Sequence, residues 1–372
     1  MVTLAILLAA LLAGSLVYSV LIIVAARRYL SQKRPNADTH LPISVLKPLS
    51  GLDEGFEANL RSFFEQDYAD CELLFAVRDE SDPATAVIRE LQAEYPDRSS
   101  QLIITGVPPY PNAKVFSLDR MLKTARYDLL VMSDSDIRVE PGFLSSIAAE
   151  FADEHVALAT CPYRAVAGES IWSKLESEGM NTEFLGGLLV ARMLEGVKFA
   201  VGPTLVARRS VLVAIGGFNV LKDYLAEDFV MGKLAAEKGF GVILSRTIVE
   251  HRIGSETLSA NAAHRIRWCR STRRSRPLGY IGQVFTYPLP VALLACAVFP
   301  SWWPALAVTA AIRALAAWST AAWILQTRPH WLLLPLQDVL SFAFWLAGFF
   351  GNTIVWRGRR YYLYADGRFD LR

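Results

Sequence analysis

An uncharged apolar run near the N-terminus constrains this chain more than any other feature of its sequence. Residues 4–26 form 23 consecutive positions without a charge, and a helix of that length crosses a hydrocarbon core of about 30 Å. A signal peptide is the alternative, but its apolar stretch is shorter, follows a basic start and ends at a small-residue cleavage site. Here Arg27 and Arg28 follow the run instead. We therefore predict an uncleaved transmembrane anchor over residues 1–30.

The charges after this run predict which side of the membrane the rest of the chain occupies. Arg27, Arg28, Lys33 and Arg34 follow the anchor, and short basic flanks stay on the cytoplasmic side. Composition agrees with membrane insertion, because 53% of the residues are hydrophobic and only 20% are charged. The net charge of +2 gives no reason to expect a nucleic-acid partner.

Residues 31–279 have the pattern of a soluble α/β domain. Short apolar runs alternate with helical patterns, which predicts a mostly parallel sheet covered by helices. The predicted strands cover residues 43–46, 73–77, 102–105, 129–133 and 156–160, and the predicted helices begin near Asp53, Asp82, Phe116 and Pro141. Ligands of such sheets bind beyond the carboxyl ends of the strands, so functional residues are expected directly after these runs.

Residues 280–356 are predicted to return to the membrane, and residues 357–372 to form a basic tail. Apolar segments separated by proline-containing turns cover residues 285–299, 302–325 and 331–354. The first is short and contains Pro288 and Pro290, so a re-entrant loop stays open as an alternative to a full crossing. Three full crossings would place the basic tail outside, against the positive-inside tendency.

Two charged residues, Arg313 and Asp338, lie inside these apolar segments. A charge at membrane depth snorkels to the interface, faces other helices or marks a substrate site. We expect snorkelling or helix contacts, rather than substrate binding, for both residues.

The strongest local signal for chemistry is the pair Asp134 and Asp136, directly after the apolar run at 129–131. Residues two apart in an extended segment point to the same side, so both carboxylates are able to face one pocket. Such hard oxygen ligands suit Mg²⁺ or Mn²⁺ bound together with pyrophosphate oxygens. A solvated turn, or the cap of a helix after Pro141, explains the same pair without a metal.

Two further acidic sites follow predicted elements. Asp79 lies after the second strand run, where a carboxylate either accepts hydrogen bonds from a nucleotide or is an exposed loop acid, and Asp82 is a helix cap. Glu227 and Asp228 begin a helical pattern, where the helix dipole favours acids in any case. The functional hypothesis is that Asp228 is a general base for an acceptor hydroxyl that attacks a sugar.

His264 opens a basic stretch whose six arginines are Arg265, Arg267, Arg270, Arg273, Arg274 and Arg276. Arginine binds a departing diphosphate with forked hydrogen bonds, whereas a basic collar on anionic lipid headgroups is the alternative. We expect Arg267 to face the site and Arg273, Arg274 and Arg276 to serve the membrane surface.

Taken together and in this order, these motifs resemble the ceramide glucosyltransferase family over residues 41–364. The segments that resemble family signatures are 46–51 (LKPLSG), 63–68 (FFEQDY), 112–114 (NAK) and 356–361 (WRGRRY). Asp79, Asp134, Asp228 and the pair Arg267–Trp268 fall where the family has its three aspartates and its final Arg-Trp motif.

This resemblance implies a GT-A fold, also called the nucleotide-diphospho-sugar transferase fold, with N-terminal and C-terminal membrane helices. It implies an inverting transfer of one sugar from UDP-glucose or UDP-N-acetylglucosamine to a lipid hydroxyl at the cytosolic face. By the same resemblance, Asp134 and Asp136 hold the metal and diphosphate and Asp228 is the base. The substrate-binding residues it implies are Asp79, Lys114, Glu227, His264, Arg267 and Trp268.

Two departures from the animal pattern leave the acceptor open. Asp136 stands where the animal enzymes have glycine, and His264 replaces the glutamine or arginine that begins the last motif. Asp136 is similar to the bacterial branch. His264, together with the run at 276–280 (RPLGY), is similar to hopanoid-associated enzymes that transfer N-acetylglucosamine to a polyhydroxylated triterpenoid. Ceramide and hopanoid acceptors therefore both remain, and a bacterial inner membrane is the expected location.

Two other classes of protein are weaker interpretations. A processive polysaccharide synthase shares the three aspartates and the Arg-Trp motif, but it needs more membrane helices to form a polymer channel. A non-catalytic membrane scaffold has no need for an acid at each of three separate strand or helix ends. The sequence does not determine the sugar, the preferred metal or the oligomeric state.

Overall fold

The computed structural model describes residues 1–33, 39–356 and 358–372. Arg34, one of the charges used above to predict orientation, and Arg357, the first residue of the predicted tail, lie outside the described residues. The first element is helix α1, Val2–Leu30, which matches the predicted anchor. Within the described chain it is the one single helix that is long and apolar enough to cross a membrane.

An α/β domain follows α1. Its strands in chain order are β1 (Ile43–Pro48), β2 (Cys71–Val77), β3 (Ser100–Ile104), β4 (Leu129–Ser133), β5 (Ile137–Arg138), β6 (Val156–Thr160), β7 (Tyr163–Ala167), β8 (Thr204–Arg208), β9 (Gly241–Leu244) and β10 (Val249–Gly254). The central sheet has the order β3-β2-β1-β4-β8-β6-β9, and β5-β10-β7 form a second, smaller sheet. The five predicted strands are confirmed as β1 to β4 and β6.

The central sheet is mostly parallel, as predicted. Strand β1 pairs in parallel with β2 and β4, whereas β8 runs antiparallel between β4 and β6. Successive residues point to opposite faces of a strand, so Phe75 enters the core on one face of β2 and Leu74 enters the core on the other. Both faces of the sheet are therefore covered by helices.

The helices of the domain are α2 (Phe56–Phe64), α3 (Ala84–Glu94), α4 (Ala113–Thr124), α5 (Phe143–Glu150), α6 (Ile171–Gly179), α7 (Leu185–Glu195), α8 (Arg209–Ile215), α9 (Glu227–Glu237) and α10 (Leu258–Ser275). The first four begin close to the predicted starts. Asp82 caps α3 as expected, because its Oδ1 accepts from the Ala84 N–H at 3.0 Å. A π-helix, Met180–Phe184, joins α6 to α7 without a break.

After α10 come four α-helices and a small antiparallel sheet. They are α11 (Pro277–Gly282), α12 (Pro288–Val298), α13 (Trp303–Ala321), α14 (Leu334–Gly348), β11 (Thr353–Trp356), β12 (Arg359–Leu363) and β13 (Phe369–Leu371). The predicted third membrane segment, residues 331–354, overlaps β11 by two residues. The described residues of the predicted basic tail include β12 and β13, and the side chains of Tyr361, Leu363 and Phe369 are buried together.

The last sheet packs on the α/β domain. The Phe369 N–H donates to the Asp223 carbonyl at 2.9 Å, and the Leu225 N–H donates to the Gly367 carbonyl at 3.4 Å. The number of membrane crossings between α10 and β11 stays a prediction. The segments Pro277–Thr286 and Pro288–Val298 meet at 63°, and α12 alone, at about 17 Å, is too short to span a bilayer.

The two charges in the apolar segments form one buried ion pair. Arg313 donates to both carboxylate oxygens of Asp338, from Nε at 2.9 Å and from Nη2 at 2.8 Å. Arg313 Nη2 also donates to Thr182 Oγ1 of the π-helix at 3.1 Å. The expectation that these residues face other helices is confirmed, and the pair connects α13 and α14 to the π-helix.

Candidate active site

Strand β4 delivers Asp134 to the carboxyl edge of the central sheet. The antiparallel register pairs Ser133 with Thr204, which brings the residues before β8 alongside the end of β4. The Asp134 N–H accordingly donates to the Pro203 carbonyl at 3.0 Å. The unpredicted strand β8 thus places Gly202 and Pro203 next to the predicted acidic motif.

Lys114 joins two of the predicted acidic sites. Its Nζ lies 2.7 Å from Asp134 Oδ1 and 3.1 Å from Glu227 Oε1. Burial alone would lower the pKa of Lys114, but the two carboxylates raise it overall, so the lysine stays charged. Asn112 caps α4 and donates to Glu227 Oε2 at 3.3 Å, which holds the same acid from the other side.

Asp228 lies at the start of α9 beside this bridge. Burial and the adjacent Glu227 carboxylate raise the pKa of Asp228 to about 7, although the nearby Lys114 opposes the shift. A Cβ atom on Gly202 would lie only 3.0 Å from Asp228 Oδ2, so the absence of a side chain at Gly202 makes room for this carboxylate. Because Glu227 is engaged by Lys114 and Asn112, Asp228 is the carboxylate of the pair left to react.

Lys47 is a site residue that the sequence analysis did not select. It is fully buried, and its Nζ donates to the Asp134 carbonyl at 2.7 Å and to Ser133 Oγ at 3.3 Å. Burial lowers the pKa of Lys47 to about 7 against the attraction of Asp134. A lysine directly after the predicted strand at 43–46 was a usable signal, because functional residues were expected there and fully buried lysines are rare unless they are paired.

Asp136 is held by a second unpredicted residue, His251. The antiparallel pairing of Ile137 with His251 places the imidazole Nε2 at 3.1 Å from Asp136 Oδ2. Burial alone would raise the pKa of Asp136, but His251 holds it below its usual range. The other oxygen, Oδ1, is buried and has no hydrogen-bond partner among the described residues. A buried anionic oxygen without a partner fits a divalent cation.

Three of the predicted substrate-binding residues lie on the basic helix α10. His264, Arg267 and Trp268 line a cavity that also contains the acidic residues described above. His264 Nδ1 lies 2.9 Å from Glu176 Oε1, and the His264 ring packs edge-on against Trp268 with centroids 4.8 Å apart. The Arg267 guanidinium lies 6.0 Å from the centre of the Trp356 ring of β11.

The arginines at the end of this basic stretch bind protein groups, and their expected role at the membrane surface stays a prediction. Arg273 donates to the Gly351 carbonyl at 2.7 Å and to Asn352 Oδ1 at 2.9 Å, and Arg274 also contacts Asn352 Oδ1. Arg276 pairs with Glu195 at 3.0 Å. Arg273 and Arg274 therefore hold the turn between α14 and β11.

Asp79 is a predicted site residue that lies apart from the other predicted site residues in the structure. It is exposed after β2, and its carboxylate accepts a hydrogen bond from Ser81. Asp53 lines the cavity instead and accepts a hydrogen bond from Ser135 Oγ at 2.7 Å. A nucleotide contact by Asp79 remains a prediction.

The acidic cluster opens into one cavity of about 1510 Å³. A single drug-sized ligand occupies a pocket of roughly 300–1,000 Å³, so this cavity has room for two substrates. Besides the residues described above, the cavity is lined by Tyr18 of α1, by Glu183 of the π-helix, by Gly187 of α7 and by Tyr287 after α11.

Comparison with known proteins decides the family. The model of glycosyl transferase family 21 matches residues 7–369 of the chain. The chain belongs to glycosyl transferase family 21. The expected family resemblance is confirmed, and membership of this family supports the expected class of enzyme, a glycosyltransferase.

Curated relatives of this chain include two proteins named ceramide glucosyltransferase. Ceramide glucosyltransferase 1 of Caenorhabditis elegans is 32% identical over 211 residues, which cover 56% of this chain and 45% of the relative. Ceramide glucosyltransferase 3 of the same organism is 26% identical over 243 residues, covering 65% and 53%. The chain spans about half the length of the curated relatives that it matches.

One solved structure supports the expected GT-A fold. A mannosyltransferase from Pyrobaculum calidifontis, determined with GDP-Man and Mn²⁺, superimposes with a TM-score of 0.55 at 19% sequence identity. The similarity covers 92% of this chain and 99% of the archaeal chain. The fold class is thus confirmed over nearly the whole glycosyltransferase.

The contact between Gly202 and Asp228 generates a prediction. In the variant Gly202→Ala, the new methyl group presses on Asp228 Oδ2, and a displacement of a few tenths of an ångström in a reacting group is costly. We expect sugar transfer to fall about ten-fold while the thermal stability changes little. Gly142→Ala is the matched control, since no atom lies within 4 Å of a Cβ there. Equal activity of the two variants would contradict this account of Asp228.

Proposed function

We propose that this glycosyltransferase moves one sugar from a UDP-sugar to a hydroxyl of a membrane lipid, with inversion at the anomeric carbon. The observation that carries the proposal is the cavity, because it joins the acidic cluster to Tyr18 of the apolar helix α1. A water-soluble donor would bind at the acidic cluster, and a lipid acceptor would enter beside α1. The ceramide glucosyltransferase relatives support the lipid as acceptor.

The donor end of the cavity fits a nucleotide diphosphate with a divalent cation. Asp134 and Asp136 would hold Mg²⁺ or Mn²⁺, and the buried, unpartnered Asp136 Oδ1 is the observation that supports this. The cation, when bound, neutralises negative charge on the departing diphosphate. Lys47 and His251 fix the main chain and side chain of the acidic motif, and Arg267 adds positive charge near the leaving group. The mannosyltransferase of similar fold was determined with Mn²⁺.

Asp228 is the proposed general base. As the lipid hydroxyl oxygen forms its bond to the anomeric carbon, the bond from that carbon to the diphosphate breaks on the opposite face, and UDP leaves. The hydroxyl proton passes to Asp228. A carboxylate whose pKa is raised to about 7 is a stronger base than an ordinary aspartate and remains available near neutral pH.

Ceramide with UDP-glucose is the proposed substrate pair, because the curated relatives are ceramide glucosyltransferases. A hopanoid with UDP-N-acetylglucosamine is the alternative outcome of the same assay. Since α1 precedes the domain and its basic residues follow the apolar run, we further propose that the domain faces the cytoplasm of a bacterial inner membrane.

The base assignment predicts a loss of turnover without a loss of donor binding. Asp228→Asn preserves the shape of the side chain but does not accept the proton, so lipid glycosylation should fall roughly 100-fold or more. Glu227→Gln is the matched control and should have a smaller effect. The measurement is mass spectrometry of lipid product from purified protein, ceramide and UDP-glucose, after UDP-sugar binding has been confirmed. Near wild-type transfer by Asp228→Asn, with an inactive Glu227→Gln, would reverse the assignment.

The same residue predicts a pH dependence. Asp228 faces Glu227, Lys114 and Asp134, and a base must be deprotonated to act. In the wild type, kcat/KM should rise as the pH increases through about 7, and residual activity of Asp228→Asn should lack this rise. An identical acidic limb in both proteins would assign the titration to another group.

The metal assignment predicts a change in nucleotide binding rather than in folding. In Asp136→Ala the buried anionic oxygen is removed, so UDP binding should become nearly independent of Mn²⁺, whereas the wild type should bind UDP more tightly when Mn²⁺ is added. Calorimetric titration with and without the ion measures this directly. Asp97→Ala, at an exposed acid outside the cavity, is the control and should keep the manganese dependence. Unchanged manganese dependence in Asp136→Ala would remove Asp136 from the ligand set.

A further inference from the structure

The π-helix between α6 and α7 presents one acid to the cavity that the proposed mechanism does not use. The Leu185 N–H donates to the Met180 carbonyl five residues earlier, which defines the wider turn. Such turns are rare and frequently occur at functional sites. Glu183 lies within this turn, is half-buried and lines the cavity.

The position of Glu183 is fixed by its neighbours in the π-helix. Asn181 exchanges two hydrogen bonds with the backbone of Ala165 in β7, at 2.8 and 2.9 Å. Thr182 accepts from Arg313 of the buried ion pair at 3.1 Å. The turn is therefore tied to the α/β domain on one side and to the apolar helices on the other, so Glu183 is preorganised rather than mobile.

Polar groups from four separate helical segments surround Glu183. The hydroxyls of Ser341 and Tyr287 approach its carboxylate, and Tyr18 of α1 is close enough to interact electrostatically. Arg265 is nearby but donates to Gln337 Oε1 at 3.0 Å and to Ser341 Oγ at 2.8 Å. Among the described residues Glu183 forms no ion pair of its own.

Glu183 and the acids at the ends of β4 and α9 have different nearest charges. The charges that act most strongly on Glu183 are Asp338, Arg265 and Arg313, whereas those that act most strongly on Asp228 are Glu227, Lys114 and Asp134. The lining of the cavity thus includes an acid of the π-helix besides the acidic cluster. A half-buried carboxylate without an ion pair is stabilised by hydrogen-bond donors, and a bound ligand is able to supply them.

We propose that Glu183 binds the polar headgroup of the lipid acceptor and selects lipids that carry a hydrogen-bond donor beside the reacting hydroxyl. The donor is a second hydroxyl or an amide N–H. This inference rests on the proposed lipid acceptor, and it makes Glu183 a specificity-determining residue rather than a second base. The headgroup is held at Glu183 while its reacting hydroxyl reaches Asp228.

The test compares two acceptors in the full-length protein. Ceramide carries an amide N–H and a second hydroxyl beside the reacting hydroxyl, whereas a long-chain primary alcohol carries only the reacting hydroxyl. For Glu183→Gln we expect the KM for ceramide to rise about ten-fold, with the KM for UDP-glucose unchanged. With the primary alcohol, wild type and variant should be equal. Equal effects on both acceptors, or no effect on ceramide, would overturn the proposal.

Glu178→Gln is the matched control. Glu178 lies one turn earlier, is more buried than Glu183 and contacts His330 outside the cavity. Its substitution should leave both KM values unchanged, and a rise in the ceramide KM as large as that of Glu183→Gln would assign the effect to helix packing.

Two further measurements distinguish the possible results of this experiment. If Glu183→Gln does not fold, the wild type alone should still favour ceramide over the primary alcohol about ten-fold in KM, and equal use would overturn the proposal. Bacteriohopanetetrol offers hydroxyl donors only, so a loss with ceramide alone identifies the amide as the bound group, and a loss with both lipids identifies a hydroxyl. Absence of transfer to every lipid by the wild type would refute the proposed function itself, not the role of Glu183 alone.

Discussion

The bridge from Lys114 to Asp134 and Glu227 is the interaction on which the site depends. Asp134, Asp136, Glu227 and Asp228 line one cavity, and like charges at that spacing repel strongly where water is excluded. Lys114 contacts two of these acids directly. Without it, the carboxylates at the ends of β4 and α9 would separate or take up protons, and neither a cation nor a base would be correctly placed.

The fold makes this bridge possible by bringing distant residues to one edge of a sheet. Strand β8 enters antiparallel beside β4 and carries Gly202 to the carboxylate of Asp228. A second set of contacts then connects the edge to the apolar helices. Arg313, which is paired with Asp338, donates to Thr182 of the π-helix. The apolar helices α13 and α14 are therefore connected to the segment that carries Glu183.

Local sequence patterns were sufficient to predict the strands named next and most of the acidic residues of the candidate site. The apolar runs at β1, β2, β4 and β6 are continuous, and Asp134, Asp136 and Asp228 stand directly at element ends, where sequence position determines direction. Three features required tertiary information. His251 faces Asp136 only because β10 pairs with β5. Glu183 faces the cavity only because the helix widens to a π-turn. Arg273 meets the turn after α14 across 78 positions of sequence.

In the proposed function, one cavity receives a sugar nucleotide at the acidic cluster and a lipid beside α1. Photo-crosslinking tests it most directly, with a ceramide analogue whose diazirine lies in the acyl chain near the headgroup and with adducts mapped by peptide mass spectrometry. We expect adducts in the cavity wall at Tyr18, at residues 187–191 and at residues 283–287, and we expect unlabelled ceramide to compete them away. Adducts confined to the outer surface of α1, or unaffected by competing ceramide, would contradict the account.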